Sequence, residues 1–218
     1  MTRVAEWCID YVSPYPYLQM PSFDELPDDV EIRPVPVLFA GLLGHWGQLG
    51  PAEIPAKKLH TFHYSRWLAD KRGLKLVGPA RHPFNPLALL RLTIALGSTL
   101  KVVRAIYDHT WAEGGDGQSD ESLAALAAKL GVEDLQSLIS AAEVKAQLRA
   151  NTDRMIAAGV YGVPTLVMDG HLFWGDDSMG MFAEYLANPD MFKDDRFARA
   201  EKIEVASGRK GKDWHLKS

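Results

Sequence analysis

With 218 residues and 47% hydrophobic content, the chain can bury a sizeable core, which excludes disorder of the whole sequence. The formal net charge of -4 and the scattered Lys and Arg residues provide no basic field for a nucleic acid. No apolar run approaches the roughly 20 residues of a membrane span, and a single cysteine is typical of a reducing compartment, so we expect a cytoplasmic protein without a membrane partner.

The chain opens with a predicted strand over residues 4–12, an apolar run that ends abruptly at Ser13-Pro14. A short, imperfect helix is predicted over residues 15–26, and Pro21 interrupts it. Ser13 therefore places a small, nucleophile-type side chain at a strand-to-helix corner.

A second strand is predicted over residues 30–38, where apolar and polar residues alternate. Pro34 and Pro36 each remove a backbone hydrogen-bond donor from this segment. The strand is therefore expected at an edge of the sheet, or these prolines at a strand end.

The long segment from residue 39 to residue 159 shows no convincing strand pattern. Apolar residues recur there at three- and four-residue spacing, which is typical of amphipathic helices. Residues that start or stop helices mark the segment ends; they are Pro55, Pro86, Ser119 and Ser140 near starts, and Gly73, Gly97, Gly131 and Gly159 near stops. This pattern predicts a large all-helical insertion.

Two short strands follow, residues 164–168 and 171–174, joined by an Asp169-Gly170 turn. A last helix is predicted from about residue 177 to residue 187. The order of elements predicts an α/β fold: a thioredoxin-like sheet domain that the helical insertion interrupts.

The domain boundaries follow from this order. We predict a discontinuous thioredoxin-like domain formed by residues 1–53 and 160–188, with residues 54–159 as the helical insertion domain. Residues 189–218 form a charged C-terminal tail with few apolar anchors, so loose helix or partial disorder is expected there.

The single cysteine, Cys8, lies inside the first predicted strand. Thiol–disulfide exchange needs one attacking and one resolving sulfur, and the chain has no Cys-x-x-Cys pair. A lone cysteine in a strand is most often a small buried hydrophobic residue. Any sulfur chemistry at the Ser13 corner must therefore use the sulfur of a ligand.

Four motifs occur in a characteristic order: Ser13-Pro14-Tyr15, H-P-F-N-P-L from His82 to Leu87, G-V-Y-G-V-P-T from Gly159 to Thr165, and D-G-H-L-F-W-G-D-D from Asp169 to Asp177. Together they resemble the 2-hydroxychromene-2-carboxylate isomerase family, of the DsbA-like and kappa-class glutathione transferase branch of the thioredoxin superfamily. The resemblance covers roughly residues 4–187. It implies glutathione as cofactor and, since relatives are often dimers, a possible homodimer.

The resemblance implies that Ser13 holds the thiol of bound glutathione, and the energetics agree. Lowering a thiol pKa from about 8.5 to about 6.5 requires about 2.7 kcal/mol of preference for the thiolate. A helix N-terminus contributes roughly 0.3 to 2 kcal/mol, and a hydroxyl donor to a charged acceptor about 1.5 to 3 kcal/mol. Together they suffice. The alternative is that Ser13 only caps the following helix.

The resemblance also implies a cis peptide bond at Val163-Pro164. The Val163 backbone would then pair with the cysteinyl unit of glutathione, as in a short β-ladder. From sequence alone an X-Pro bond is cis in only about 5 to 6 per cent of folded cases. The alternative is an ordinary proline at a strand entry.

Asp176 and Asp177 lie at a predicted strand-to-helix junction, where unpaired backbone N–H groups favour an anion. The γ-glutamyl arm of glutathione would bind here, with Asp177 as partner of its ammonium and the Asp176 backbone near its carboxylate. The alternative is that Asp176 caps the helix without a ligand. The family commonly has a basic residue after this aspartate, where the chain has Ser178.

Gln48 and Lys57 are further candidates for the glutathione site. Relatives tend to have Gly-Asn where this chain has Gly47-Gln48, so the longer amide reaches the same groups only if its loop shifts. Lys57 or the adjacent Lys58 would open a helix facing the site and meet a substrate carboxylate. A solvated lysine is the alternative.

No metal site is expected. His60 and His63 share a helix face at three-residue spacing, but no acidic or thiol partner with ligand spacing accompanies them. We interpret them as surface histidines of the helical insertion.

These interpretations combine into a glutathione-dependent cis-trans isomerase of aromatic 2-oxo or 2-hydroxy acids, similar to 2-hydroxychromene-2-carboxylate isomerase. The thiolate would add reversibly to a conjugated double bond. Two alternatives stay open. One is a kappa-class-like glutathione S-transferase or a relative of the DsbA-family thiol oxidoreductases. The other is a glutathione-binding protein that has lost catalysis, which the departures at Gln48 and Ser178 slightly favour.

Overall fold

The computed structural model describes residues 2–200, 202–204 and 206. The chain divides into two compact units, Met1–Met179 and Gly180–Ser218. This division keeps the sheet and the central helices in one unit, and the domain boundaries predicted above stay predictions. Among the described residues, no helix combines the length and apolar content that a membrane span requires.

One mixed sheet lies in the first unit, and its strands follow the order β2-β1-β3-β4. The strands are β1 Arg3–Ile9, β2 Val30–Pro36, β3 Thr165–Met168 and β4 His171–Trp174. β1 pairs parallel with β2 and antiparallel with β3, and β3 pairs antiparallel with β4. The predicted α/β sheet, closed by strands from both sides of a helical segment, is confirmed.

β2 is an edge strand, as its prolines predicted. The Val37 N–H donates to the Ile9 carbonyl (3.0 Å), so the backbone groups of Val37 face β1. Because successive residues of a strand point their backbone groups to opposite sides, Pro34 and Pro36 face away from β1. The missing N–H groups therefore cost the sheet no hydrogen bond, and Asn151 donates to the outward Pro36 carbonyl (3.2 Å).

Of the α-helices that the structure describes, one short helix lies between β1 and β2, seven lie between β2 and β3, and two follow β4. Their bounds are α1 Tyr15–Gln19, α2 Phe39–Trp46, α3 Pro55–Lys71, α4 Leu87–Ala95, α5 Leu100–Tyr107, α6 Asp120–Leu130, α7 Leu135–Ser140, α8 Ala142–Ala157, α9 Met179–Ala187 and α10 Asp195–Ala200. A π-helical turn, Asp108–Ala112, continues α5. Residues 39–159 contain no strand, as predicted.

Two predicted helices differ in their bounds. The helix predicted over residues 15–26 is α1 at first and a 3₁₀-helix over Met20–Glu25, because Pro21 has no N–H for an α-helical hydrogen bond. The last predicted helix, residues 177–187, is preceded by a 3₁₀-turn, Asp176–Ser178, before α9 begins.

A buried apolar cluster packs the sheet against α2 and α8. Its members are Cys8, Val35, Val37, Leu42, Met155, Val160 and Val163. Cys8 is fully buried, as predicted, and burial raises the pKa of its thiol. Cys8 is therefore a packing residue and holds no reactive thiolate.

Three aromatic side chains pack against one another within the second unit, Gly180–Ser218. Tyr185 stacks on Phe192 with ring centroids 5.6 Å apart, and Phe192 meets Phe197 edge-on at 5.3 Å. Ile203, by contrast, is 75% exposed. Helix is thus present in the tail as far as Ala200, while residues 207–218 of the predicted tail lie outside the described residues.

Candidate active site

Ser13 lies at the corner between β1 and α1, and only 8% of the residue is exposed. Its Oγ donates a long hydrogen bond to the Val163 carbonyl (3.5 Å) and accepts one from the Tyr15 N–H (3.4 Å). Both distances are near the outer limit for a hydrogen bond. A capping role for Ser13 thus has only weak support, and its hydroxyl makes no short hydrogen bond among the described residues.

Val163 and Pro164 face this hydroxyl, and the peptide bond between them is cis. Val163 is 7% exposed, yet its N–H takes part in no hydrogen bond within the described part of the chain. Its carbonyl accepts only the long bond from Ser13. A nearly buried backbone unit with unused hydrogen-bonding capacity lies directly beside the Ser13 hydroxyl.

Asp10 fixes the backbone at the corner between β1 and α1 through hydrogen bonds. Its fully buried carboxylate accepts the Val12 N–H (3.1 Å) and, at the start of α2, the Phe39 N–H (2.9 Å). The Asp10 carbonyl accepts the Ser13 N–H (3.0 Å). These bonds turn the chain, so β1 ends at Ile9 instead of the predicted residue 12.

Side chains from the segment between β2 and β3 bind the backbone carbonyls of the same corner. The carbonyls of residues 10, 11 and 12 are bonded, in that order, to the Tyr107 hydroxyl (3.0 Å), Trp111 Nε1 (2.9 Å) and His82 Nε2 (2.7 Å). Each bond comes from a residue between β2 and β3. The segment between β2 and β3 therefore fixes the backbone that carries Ser13.

Burial raises the pKa of Asp10 to about 7, against the opposing effect of the N–H groups of Phe39 and Val12. Desolvation therefore outweighs two hydrogen bonds to the charged form. Asp10 is therefore expected to change its charge close to neutral pH, three residues before Ser13.

This shift predicts a pH-dependent difference in stability between the wild type and Asp10→Asn. A folded-state pKa raised from 3.8 to about 7 contributes stability that is fully present below pH 4 and is lost as the pH rises through 7. The wild type should therefore lose about 4 kcal/mol relative to the variant between pH 4 and pH 8. Urea unfolding of both proteins at several pH values measures this, and a pH-independent difference would contradict it.

Asp176 lies at the predicted strand-to-helix junction and is 8% exposed. Its carboxylate accepts two hydrogen bonds from the Arg72 guanidinium (2.6 and 3.0 Å). Arg72 also donates to the Leu18 carbonyl in α1 (2.6 Å). The ion pair joins the residue after α3, and through Leu18 also α1, to the junction, and both oxygens of the Asp176 carboxylate accept a hydrogen bond from Arg72.

Gln19 completes the link between α1 and the junction. It is fully buried, accepts a hydrogen bond from Trp7 Nε1 (2.6 Å), and donates to the Gly175 carbonyl (3.2 Å). The Gly175 N–H donates to the Pro164 carbonyl (2.9 Å). A continuous set of hydrogen bonds therefore joins the corner, the cis-proline and the junction.

The sequence-predicted residues fall into two groups. Ser13, Val163, Pro164 and Asp176 belong to this connected set, and Asp177 lies exposed beside it. Gln48 and Lys57 are exposed, and no hydrogen bond or ion pair of the described residues joins either to Ser13. The neighbouring Lys58 reaches the set, because its Nζ donates to the His82 carbonyl (2.6 Å).

Sequence reasoning missed Asp10, Arg72 and the His82 side chain. An acidic residue at the end of an apolar strand was a readable signal for Asp10, since a buried carboxylate needs partners. For His82 the sequence provided only its place at the start of the H-P-F-N-P-L motif, with no role for the side chain. Arg72 carried no signal, because its partner lies 104 residues away.

The chain is similar to known proteins over most of its length. A family model described as a DSBA-like thioredoxin domain matches residues 3–187. The chain is 26% identical over 209 residues to glutathione S-transferase kappa 2 of Caenorhabditis elegans, covering 86% of this chain and 93% of that protein. It is 24% identical over 194 residues to 2-hydroxychromene-2-carboxylate isomerase of Sphingobium xenophagum, covering 85% and 99%.

A solved structure is also similar. The structure of a 2-hydroxychromene-2-carboxylate isomerase aligns with a TM-score of 0.73 at 20% identity, covering 92% of this chain and 100% of that chain. At this identity the likeness shows the shared fold. The order of strands and helices described above is therefore common to both proteins.

Proposed function

The chain belongs to the DsbA-like thioredoxin family, and on that premise we propose that it is a glutathione-dependent cis-trans isomerase of aromatic 2-oxo or 2-hydroxy acids. One observation carries the proposal: the Ser13 hydroxyl lies beside the Val163 backbone, whose N–H has no partner among the described residues, in a chain whose single thiol is buried. The two relatives, an isomerase and a glutathione transferase, support the isomerase class and the cofactor. A cytoplasmic location and a homodimer belong to the same proposal.

The residues present fit a tripeptide thiol. An extended peptide pairs with the N–H and C=O of a neighbouring backbone, as the cysteinyl unit would with Val163, whose carbonyl keeps a second lone pair beside the long bond from Ser13. The backbone at Asp176 would receive the γ-glutamyl carboxylate, and the exposed Asp177 carboxylate would receive the ammonium. Gln48 and Lys57 are proposed for the outer part of the site.

When bound, glutathione would supply a thiolate that adds reversibly to a conjugated double bond, makes it transiently single and leaves unchanged. The Ser13 hydroxyl would donate to that sulfur and favour its charged form by about 1.5 to 3 kcal/mol. Since only 8% of Ser13 is exposed, little water competes for the hydroxyl.

Turnover measurements test this function. Protein, glutathione and 2-hydroxychromene-2-carboxylate are mixed and the absorbance is followed; we expect isomerisation well above the rate with glutathione alone. S-methylglutathione is the control ligand, because it should bind in calorimetry and support no turnover. A rate equal to the glutathione background would remove the proposal.

A kappa-class-like transferase is the second candidate, favoured by the 26% identity to glutathione S-transferase kappa 2. It would release a conjugate, whereas an isomerase returns a product with the mass of the substrate. Mass spectrometry of the product separates the two. Tight glutathione binding without turnover of any electrophile would instead indicate a binding protein.

A further inference from the structure

The peptide unit directly before Ser13 is held at both of its polar ends. Its carbonyl, from Val12, is bonded to His82 Nε2 (2.7 Å), and its N–H, from Ser13, donates to the Asp10 carbonyl (3.0 Å). A peptide unit is planar and rigid. Two bonds at opposite ends therefore fix its orientation, and with it the direction in which the Ser13 side chain leaves the backbone.

The Val12 carbonyl determines which tautomer the neutral His82 ring adopts. A carbonyl only accepts hydrogen bonds, so Nε2 carries the proton and the neutral ring keeps a lone pair on Nδ1. Nδ1 is buried, and none of the described residues forms a hydrogen bond with it. Three aromatic rings surround the imidazole, with centroid distances of 5.1 Å to Phe62, 6.4 Å to Phe84 and 5.9 Å to Trp111.

We propose that His82 is a positioning residue: as a neutral Nε2–H donor it holds the Val12 carbonyl and so aims the Ser13 hydroxyl at its ligand. The expected effect of His82 on glutathione affinity rests on the proposed function. The positioning of Ser13 by His82 does not depend on any ligand. No role for the His82 side chain followed from the sequence motif that contains it.

Protonation of His82 would disrupt this arrangement. It adds an N–H at Nδ1, which is buried among aromatic rings and has no hydrogen-bond partner in the described part of the chain. Burial lowers the pKa of His82, and the nearby Lys58 ammonium of α3 acts in the same direction, against the hydrogen bond to Val12. Asp10 is the other titratable group at this peptide, and it acts through the Val12 N–H.

Magnetic resonance titration tests the positioning without a ligand. The His82 ring should be in the Nε2–H form at pH 8, and the Ser13 amide shift should follow the His82 titration below pH 6.5. A second step, near pH 7, should report Asp10. In His82→Gln the first step should vanish and the second persist. A Ser13 amide chemical shift that does not change as His82 titrates would overturn the proposal.

Glutathione calorimetry at pH 8 tests the consequence. His82→Phe should bind about five- to tenfold more weakly than the wild type, since one hydrogen bond to the corner is lost. His82→Gln keeps an amide donor for the Val12 carbonyl and should stay within about twofold, as should the exposed control His63→Phe. Unchanged binding by His82→Phe, or equal losses in folded Phe and Gln variants, would contradict the role. If the wild type binds no glutathione, the proposed function fails and the titration alone decides on His82.

Discussion

Ser13→Ala is expected to lower kcat/KM of the glutathione-dependent isomerisation about 10- to 150-fold. The lost donor to the thiolate contributes about 1.5 to 3 kcal/mol, and each 1.36 kcal/mol is a factor of ten. For the same reason the pKa of the bound thiol should rise by about one to two units. Steady-state kinetics and the ultraviolet absorbance of the bound thiolate, followed against pH, measure the two effects.

Ser13→Ala should lose activity without losing much stability. Both hydrogen bonds of the Ser13 hydroxyl are long, at 3.4 and 3.5 Å, so the variant should unfold within about 1 kcal/mol of the wild type. Ser140→Ala is a matched control, since its hydroxyl is exposed at the end of α7 and donates to the Ser137 carbonyl. A Ser13→Ala enzyme with wild-type activity would show that the hydroxyl does not hold the thiolate.

Arg72→Leu is expected to lower the free energy of unfolding by about 2 to 4 kcal/mol. The substitution leaves the Asp176 carboxylate, 8% exposed, without its charged partner. Removing one member of a buried ion pair typically costs about 3 to 5 kcal/mol, and the 28% exposure of the Arg72 side chain reduces that value. Urea unfolding at pH 7 measures the change.

An exposed ion pair provides the comparison. The side chains of Arg33 and Glu31 are 54% and 48% exposed, so Arg33→Leu should cost no more than about 1 kcal/mol. The double variant Arg72→Leu/Asp176→Leu should recover part of the lost stability, because no unpaired charge is left. Equal losses for Arg72→Leu and Arg33→Leu would mean that the ion pair does not hold the junction.

The sequence predicted those features that depend on neighbouring residues. The alternation in β2, its two prolines and the Asp169-Gly170 turn are local patterns, and the structure has an edge strand and a β3–β4 pair in these places. Helical spacing between residues 39 and 159 is local as well. These patterns reflect backbone geometry, which acts over a few residues.

The site residues that were missed depend on distant contacts. His82 meets Val12 across 70 residues, and Arg72 meets Asp176 across 104. No periodicity encodes such pairs, since they form only when the helical segment packs on the sheet. The length of β1 was wrong for a related reason: the Asp10 side chain bonds Phe39, 29 residues on, and bends the chain early.

The two prolines of β2 also affect how copies of the chain can associate. An incoming strand would find no N–H at residues 34 and 36, and Asn151 already bonds the carbonyl of Pro36. The outer edge of β2 is therefore a poor template for the addition of a strand from another copy, which is the route by which open sheets aggregate. Replacing either proline would supply a donor there and weaken a built-in protection against fibre formation.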